Sequence, residues 1–129
     1  MSKTIKNDSK LVFFNDGAYA IGNHVSNEVF LPHFNPSGFF GVQVFSSSAG
    51  AGVARLRYQI SVDGVAASYQ IPKLANGTEV GDIVTAHAVG YGQYGFNPRL
   101  GVYLKLEADV SGADLTALVV KMAVHSDIE

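Results

Sequence analysis

The run GYGQYG, residues 90–95, has the spacing G-x-G-x-x-G, which is typical of a dinucleotide-binding loop. Such a loop lies between a strand and a helix, and the helix N-terminus supplies the N–H groups and positive dipole that hold the pyrophosphate. Here a predicted strand, Ile83–Val89, does precede the glycines, but the residues that follow, 100–110, alternate in polarity and predict another strand. We therefore expect no nucleotide site, and we interpret the run as a loop whose glycines permit positive φ.

The same stretch carries three aromatic residues, Tyr91, Tyr94 and Phe96. On a flexible loop they would form an adhesive tip, suited to a protein surface or to the face of a sugar ring. Packing of the same rings beneath the loop is the alternative interpretation. The sequence leaves the two open.

Other groups that could do chemistry are dispersed along the chain. Glu107 and Asp109 have the i, i+2 spacing that could place a glycosidase pair on one strand face, but we expect both on a solvated face shared with Lys105. The serines of FSSSAGAG, residues 45–52, lie outside any G-x-S-x-G motif. No metal-ligand spacing or acidic cluster joins the four histidines, which are His24, His33, His87 and His125. We therefore predict no catalytic, cofactor-binding or metal-binding residues.

Alternating polarity predicts that strands carry these residues. In the segment Val53–Ile71, the turn signal Asp63-Gly64 separates two alternating runs, which predicts a hairpin. The register that gives one buried face pairs Val62 with Val65, Ile60 with Ala67, Tyr58 with Tyr69, and Leu56 with Ile71. Arg57 and Gln59 then lie on the wet face.

The segment Leu100–Val124 predicts a second hairpin. The register that keeps the apolar residues of both strands on one face requires a loop with an odd number of residues around 112–114, which could contain a β-bulge. That register places Leu104 against Met122, Leu106 against Val120, and Ala108 against Leu118.

Further strands are predicted at Leu11–Phe14, Phe39–Phe45 and Asp82–Val89, and the turn at residues 15–17 could fold Ala18–Ile21 back on the first of them. About seven to nine short strands in all are enough for two packed sheets. We expect an all-β, antiparallel β-sandwich of jelly-roll type, with an immunoglobulin-like topology as the alternative. Residues 1–10 are predicted to be a flexible N-terminal arm, and residues 11–129 a single domain.

Composition limits the possible partners. Net charge is −2, which provides no basic field for nucleic acid or a membrane surface. The polar first ten residues and the short apolar run LVFF predict neither a signal peptide nor a membrane span, so we expect synthesis in the host cytoplasm.

Hydrophobic residues make up 47% and charged residues 16% of the chain, against a usual charged share of about 25%. Burial of part of the surface by another chain would explain the low share of charged residues. The alternative is a weakly charged β-protein surface rich in Ser and Gly.

Two runs carry a resemblance to a known class of protein. GVQVFSSSAGAGVARLRYQISVDG, residues 41–64, and RLGVYLKLEADVSGADLTALVVKMAV, residues 99–124, resemble the small jelly-roll structural proteins of tailed bacteriophage virions. The similarity is one of pattern over Phe39 to Val124. It implies a non-enzymatic virion component, of which capsid decoration proteins, often trimeric, and tail or head-fibre adaptors are examples. This class has no fixed site whose residues could be transferred to this chain.

We therefore expect a capsid decoration protein located in the virion, a trimer that binds itself and the major capsid protein or another virion protein. No cofactor, nucleic acid or membrane is expected. The alternatives are a lectin-like carbohydrate-binding module or a phage tail or head-fibre adaptor, and an enzyme is a third possibility. The residues predicted to contact a partner are Lys3, Lys6, Phe30, His33, Phe34, Tyr91, Tyr94 and Phe96.

Overall fold

A computed structural model describes residues 2–6, 12–15, 17–30, 36–96 and 103–128. Within these ranges the chain forms nine strands and one short 3-10 turn, Ala66–Ser68. The strands are β1 (Ser2–Lys6), β2 (Val12–Phe14), β3 (Gly22–Phe30), β4 (Pro36–Ser47), β5 (Val53–Ser61), β6 (Asp82–His87), β7 (Gly90–Phe96), β8 (Tyr103–Ser111) and β9 (Ala117–Ile128).

The strands form two antiparallel sheets. The first sheet has the order β1-β9-β4-β7, with β2 also paired to β9, and the second has the order β3-β8-β5-β6. Four antiparallel pairs are nested along the chain, from the outermost to the innermost: β2·β9, β3·β8, β4·β7 and β5·β6. The first and third of these pairs lie in the first sheet, and the second and fourth lie in the second sheet. This is the topology of a jelly roll, as the sequence predicts, and it differs from the immunoglobulin-like alternative.

The core lies between the two sheets and draws alternate residues from both. Tyr58 of the second sheet and Phe96 of the first have ring centroids 5.2 Å apart across it. Because successive side chains of a strand point to opposite faces, the fully buried residues fall at every second position. The largest of them include Leu56, Leu104, Leu106, Leu118 and Met122.

The predicted hairpin of residues 53–71 is correct only as far as its turn. Gly64 does have a positive φ of 76°, but no strand returns along β5, and Ile60 bridges Gln70 rather than Ala67. The Asp63 carboxylate accepts hydrogen bonds from the N–H of Val65 and the Ser68 hydroxyl, at 3.0 and 2.7 Å. These bonds curl the chain into the 3-10 turn, and they hold the pKa of Asp63 below its ordinary value.

The partners of β5 are instead distant in sequence, since it pairs with β8 and β6. Its predicted faces are nevertheless right, because Leu56 and Tyr58 are buried while Arg57 and Gln59 lie on the other side. Alternation fixes the face of each side chain but carries no information on which strand lies alongside.

The second predicted hairpin is wrong in the same way. Strand β8 belongs to the second sheet and β9 to the first, so residues 112–116 cross between the sheets. Leu104 and Met122 are both buried, as predicted, but Leu104 pairs with Ile60 in the second sheet and Met122 with Val42 in the first. Burial of the same residues is compatible with a hairpin and with a crossing between sheets.

Two further predictions are corrected, and a third stays open. The run GYGQYG is part of a strand, β7, rather than a flexible loop, and of its glycines only Gly90 has a positive φ, 106°. Residues 18–21 do not fold back on β2, because Tyr19 bridges Leu115 and β2 pairs with β9. Within the predicted N-terminal arm, Ser2–Lys6 forms β1 and pairs with β9, while the flexibility of the arm stays a prediction.

Candidate interaction face

Strand β7 divides the three predicted contact aromatics between two environments. Its alternate residues face outward and inward, so Tyr91 is exposed over 74% of its surface whereas Phe96 is buried. Tyr94 is half-buried and packs against the core. Of the two interpretations that the sequence left open, packing therefore applies to Tyr94 and Phe96, and exposure applies to Tyr91.

Tyr91 does not stand alone, because the neighbouring strands align other side chains with it. Across the sheet, Tyr91 pairs with Phe45 on β4, which pairs in turn with Val119 on β9. The Tyr91 and Phe45 rings lie 4.7 Å apart between centroids at a tilt of 44°. These three side chains form an apolar row on the outer surface of the first sheet.

The next row on the same surface is polar. Gln93 pairs with Gln43, which pairs with Lys121, and the Gln93 amide donates a hydrogen bond of 2.9 Å to Gln43 Oε1. Beyond it, Gly41 and Gly95 pair with one another and leave the backbone uncovered by side chains. We call the two side-chain rows the aromatic–amide face; its residues are Gln43, Phe45, Tyr91, Gln93, Val119 and Lys121.

The outer surface of the second sheet has a very different character. Glu107 is only 4% exposed and accepts hydrogen bonds from Arg57, at 2.5 Å, and from Gln59, at 2.7 Å. Arg55 makes two bonds of 3.1 Å to Asp82. The prediction that Glu107 lies on a solvated face is therefore wrong: Arg57 and Gln59 cover it, and the Arg57 guanidinium balances its charge.

The Tyr69 side chain also contacts the outer surface of the second sheet. Tyr69 is buried there, with its hydroxyl donating to Glu28 and the Lys105 ammonium 4.1 Å from its ring centroid. Burial and the hydrogen bond to Glu28 raise the pKa of Tyr69 above its ordinary value. The polar groups of this surface are thus bound to one another, which leaves the aromatic–amide face as the less charged of the two outer surfaces.

His87, one of the four histidines, is buried at the margin between the sheets. Its Nε2 lies 3.0 Å from the Gly90 carbonyl oxygen and its Nδ1 lies 2.6 Å from the Tyr94 hydroxyl. Since a carbonyl can only accept, Nε2 carries a proton, and both ring nitrogens are engaged in structural contacts. A Cβ at Gly92 would lie 2.7 Å from His87 Cε1, so this pair requires a glycine there.

The remaining predicted contact residues lie elsewhere. Phe30 is half-buried, with its ring 5.1 Å from that of Tyr103 on the second sheet. Lys3 and Lys6 belong to β1. His33 and Phe34 lie outside the described residues. The structure therefore places Phe30 apart from Tyr91, on the other sheet, and contact of these five residues with a partner stays a prediction.

Two further groups that could do chemistry, His24 and Ser48, hydrogen-bond to backbone carbonyls. His24 Nε2 bonds to the Ala20 carbonyl at 2.8 Å, and the Ser48 hydroxyl donates to the Asp114 carbonyl at 2.8 Å. Among the described residues no three His, Asp or Glu side chains are grouped so that they could hold a metal ion. No helix in the described part of the chain is long and apolar enough to cross a membrane.

Sequence reasoning missed most of the aromatic–amide face. Gln43 and Phe45 lie in a segment that was predicted to be a strand, but their neighbours Tyr91 and Val119 are distant in sequence. Glutamines that alternate with apolar residues on two separate segments were the available signal. Only the register of β4 with β7 and β9 brings the rows together.

Comparison with known proteins supports the fold rather than a family. No protein-family model and no curated protein matches the chain. Among solved structures, the SPBc2 prophage-derived protein YomS is similar with a TM-score of 0.58 and 11% identity, over 98% of this chain and 96% of that one. PirA has a TM-score of 0.49 and 15% identity, over 92% and 99% of the two chains.

A carbohydrate-binding module is also among the similar structures. The CBM22-1 xylan-binding domain from Paenibacillus barcinonensis Xyn10C has a TM-score of 0.43 and 13% identity, over 93% of this chain and 94% of that one. The likeness to YomS, at 11% identity, supports the β-sandwich fold alone, over nearly the full length of both chains.

Proposed function

We propose that this chain is a structural protein of a bacteriophage particle, which acts through protein–protein contacts and not by catalysis. Its proposed role is capsid decoration, with the chain bound to itself and to the major capsid protein. The jelly-roll fold supports this role, as does the likeness to a prophage-derived protein along nearly the whole chain.

The observation that carries the proposal is the contrast between the two outer surfaces. On the second sheet, charged groups are paired with one another in networks such as Arg57–Glu107 and Arg55–Asp82. On the first sheet, the aromatic–amide face has a single charged residue, Lys121, and an exposed aromatic residue, Tyr91. A weakly charged patch with an aromatic anchor and a polar surround has the composition of a protein interface.

A decoration protein works by the area that it buries. Contacts added between capsid subunits raise the force needed to separate them, and no reacting group is required. Aromatic rings suit this use, because Tyr buries a large area with little loss of side-chain entropy. The engaged His87 and Glu107 stabilise the fold in this proposal and have no catalytic part.

The proposal is tested first on particles of the phage or induced prophage that encodes the chain. Mass spectrometry of purified particles should find it in amounts comparable to the major capsid protein. In a pelleting assay, purified protein added to particles that lack it should bind, and Tyr91→Arg should weaken that binding at least about tenfold. Val25→Arg is the matched control, because Val25 is 48% exposed but lies on the second sheet. Absence from the particles would overturn the proposal.

A second candidate, a lectin-like carbohydrate-binding module, is favoured by one observation. The exposed Tyr91 ring lies beside the Gln43 and Gln93 amides, and an aromatic platform with amide donors at its edge can stack on a sugar ring and bond to its hydroxyls. A glycan array would separate the two functions. Specific binding that is lost in Tyr91→Ala and kept in Lys121→Ala would favour the module, and absence of glycan binding would favour the structural protein.

A further inference from the structure

Strand β7 is an edge strand without the usual protection against pairing. It lies at the end of the first sheet, and no strand among the residues that the structure describes pairs with its other edge. Its seven residues, GYGQYGF, include no charged residue and no proline, and its register with β4 is continuous. Edge strands usually carry lysines, prolines or bulges, because bare N–H and C=O groups attract a further strand.

The other edges do carry such protection. Strand β1 contains two lysines, and the register of β2 with β9 shifts between Val12 and Phe14. In the second sheet, the register of β3 with β8 shifts between Val25 and Glu28, and that of β6 with β5 shifts twice. The regular, uncharged edge of β7 is therefore the one suited to accept another strand.

The sequence of β7 complements itself. When two copies of one strand pair antiparallel about a two-fold axis, one residue of the strand lies opposite the same residue of the other copy. The axis passes between these two residues. For the axis at Gln93, the midpoint of β7, every aromatic residue faces a glycine of the other copy. The pairs are Tyr91 with Gly95, Tyr94 with Gly92, and Phe96 with Gly90.

This complementarity is specific to that register. An axis at Tyr94 would oppose two tyrosines, and an axis at Gly92 would oppose two bare glycines and leave Phe96 beyond the paired residues of β7. Aromatic side chains that cover glycines on a neighbouring strand stabilise such pairs, because they fill the space that the missing side chain leaves. On the outer surface, the exposed Tyr91 of each copy would lie over the Gly95 of the other.

We propose that a second copy of this chain binds at β7, with the two β7 strands antiparallel and Gln93 on the two-fold axis. The first sheets of the two copies then form one continuous sheet of order β1-β9-β4-β7-β7-β4-β9-β1. The two aromatic–amide faces become one surface, on which the Gln43–Gln93 pairs of both copies form a row of four amides. Because the axis brings no charged residues of β7 together, the pairing encounters no like-charge repulsion there.

This inference rests on the proposed function, for which it names the surface of self-association. It also replaces the expected trimer with a two-fold dimer, since identical antiparallel edges form a closed, isologous contact. A dimer is itself compatible with assembly on a capsid, where further contacts use other surfaces.

The experiment measures the dissociation constant of the dimer by sedimentation equilibrium, for the wild-type chain and for Gln93→Lys. The variant places two ammonium groups directly opposite each other on the axis, so the dimer should weaken on the order of tenfold or more. Gln43→Lys is the matched control, because it also removes the Gln43–Gln93 hydrogen bond. The new lysines of the two copies, however, lie three strand spacings apart, about 14 Å, and salt screens their repulsion at that distance. This variant should dimerise nearly as the wild type does.

A mixture makes the register itself testable. Gln93→Lys and Gln93→Glu should each dimerise poorly alone, and together they should form a heterodimer, because opposite charges then meet on the axis. A monomeric wild-type chain at all concentrations, or a trimer, would overturn the inference. So would a dimer that Gln93→Lys leaves unchanged, although such an association through another surface would still agree with a structural role in a particle. Circular dichroism of each variant confirms that the fold is retained.

Discussion

His87 Nδ1 and the Tyr94 hydroxyl lie 2.6 Å apart, and this bond joins the edge strands of the two sheets. His87 ends β6 in the second sheet, and Tyr94 lies in β7 of the first. The two rings are nearly perpendicular, at 89°, with centroids 5.6 Å apart. The pair therefore fixes β7 against the second sheet, and no strand among the described residues pairs with the edge of β7 that lies away from β4.

Tyr94→Phe should reduce the free energy of unfolding by about 1–2 kcal/mol. The substitution keeps the ring but removes the hydroxyl, so the buried Nδ1 of His87 loses its hydrogen-bond partner. Urea denaturation followed by circular dichroism measures the change. Tyr91→Phe is the control, because that ring is 74% exposed, and it should change stability by less than about 0.5 kcal/mol. Equal effects of the two substitutions would contradict the structural role of the His87–Tyr94 pair.

Glu107→Gln should destabilise the protein by about 2 kcal/mol, even though it is nearly isosteric. The change removes the buried carboxylate of the Arg57 guanidinium and leaves only that of Glu79, which is 3.7 Å away and half exposed. It also turns an amide toward the Gln59 amide. Asp82→Asn offers a matched comparison in the same sheet, because the Arg55–Asp82 side chains are each 41% exposed. Its effect should stay below about 1 kcal/mol. Thermal denaturation of both variants at neutral pH tests the difference, and a larger effect at Asp82 would contradict it.

The stability of the protein should fall at alkaline pH partly because of Tyr69. Burial and the bond to Glu28 raise the pKa of this phenol in the folded state, so the folded protein holds the proton more tightly than the unfolded chain does. The resulting stabilisation is fully present below the unfolded pKa of about 10 and is lost as the pH rises above it.

Tyr69→Phe isolates this contribution. The difference in unfolding free energy between wild type and variant should be constant below about pH 9 and should shrink as the pH rises further. Denaturant titrations at several pH values measure it. A difference that stays constant through pH 11 would show that the phenol is not perturbed as the geometry indicates.

The sequence predicted burial better than it predicted neighbours. The alternation at Leu104, Leu106, Leu118 and Met122 identified core positions, because period-2 polarity reports the face of each residue directly. It could not show that β8 and β9 belong to different sheets, since a crossing between sheets and a hairpin bury the same side chains. The overall class, a jelly-roll sandwich, followed from the number and spacing of the strands.

Glycine was the main source of error at the candidate site. In GYGQYGF, glycines suggested a loop, but the partner strand β4 supplies a continuous ladder that overrides this local preference. The exposure of Tyr91 and the inward position of Phe96 follow from that ladder alone. Glu107 was predicted to be exposed because the two residues that cover it are distant in sequence. Arg57 lies 50 residues and Gln59 lies 48 residues before it, on a different strand.

Gly112→Ala should be among the more destabilising substitutions in the chain, at about 2–4 kcal/mol. Gly112 has a φ of 81° in the crossing between β8 and β9, and a Cβ there would lie 2.5 Å from the Ala51 carbonyl oxygen. The added methyl group therefore meets both backbone strain and a collision with a neighbouring loop.

Gly77→Ala separates these two contributions. Gly77 has a similar φ of 89°, but nothing lies within 4 Å of the Cβ position, so the substitution should cost only the strain, about 1 kcal/mol. Urea denaturation of the two variants gives the difference, which measures how closely residues 51 and 112 are packed. If the two substitutions cost the same, the loop at Ala51 yields freely, and the crossing between the sheets is not held by this contact.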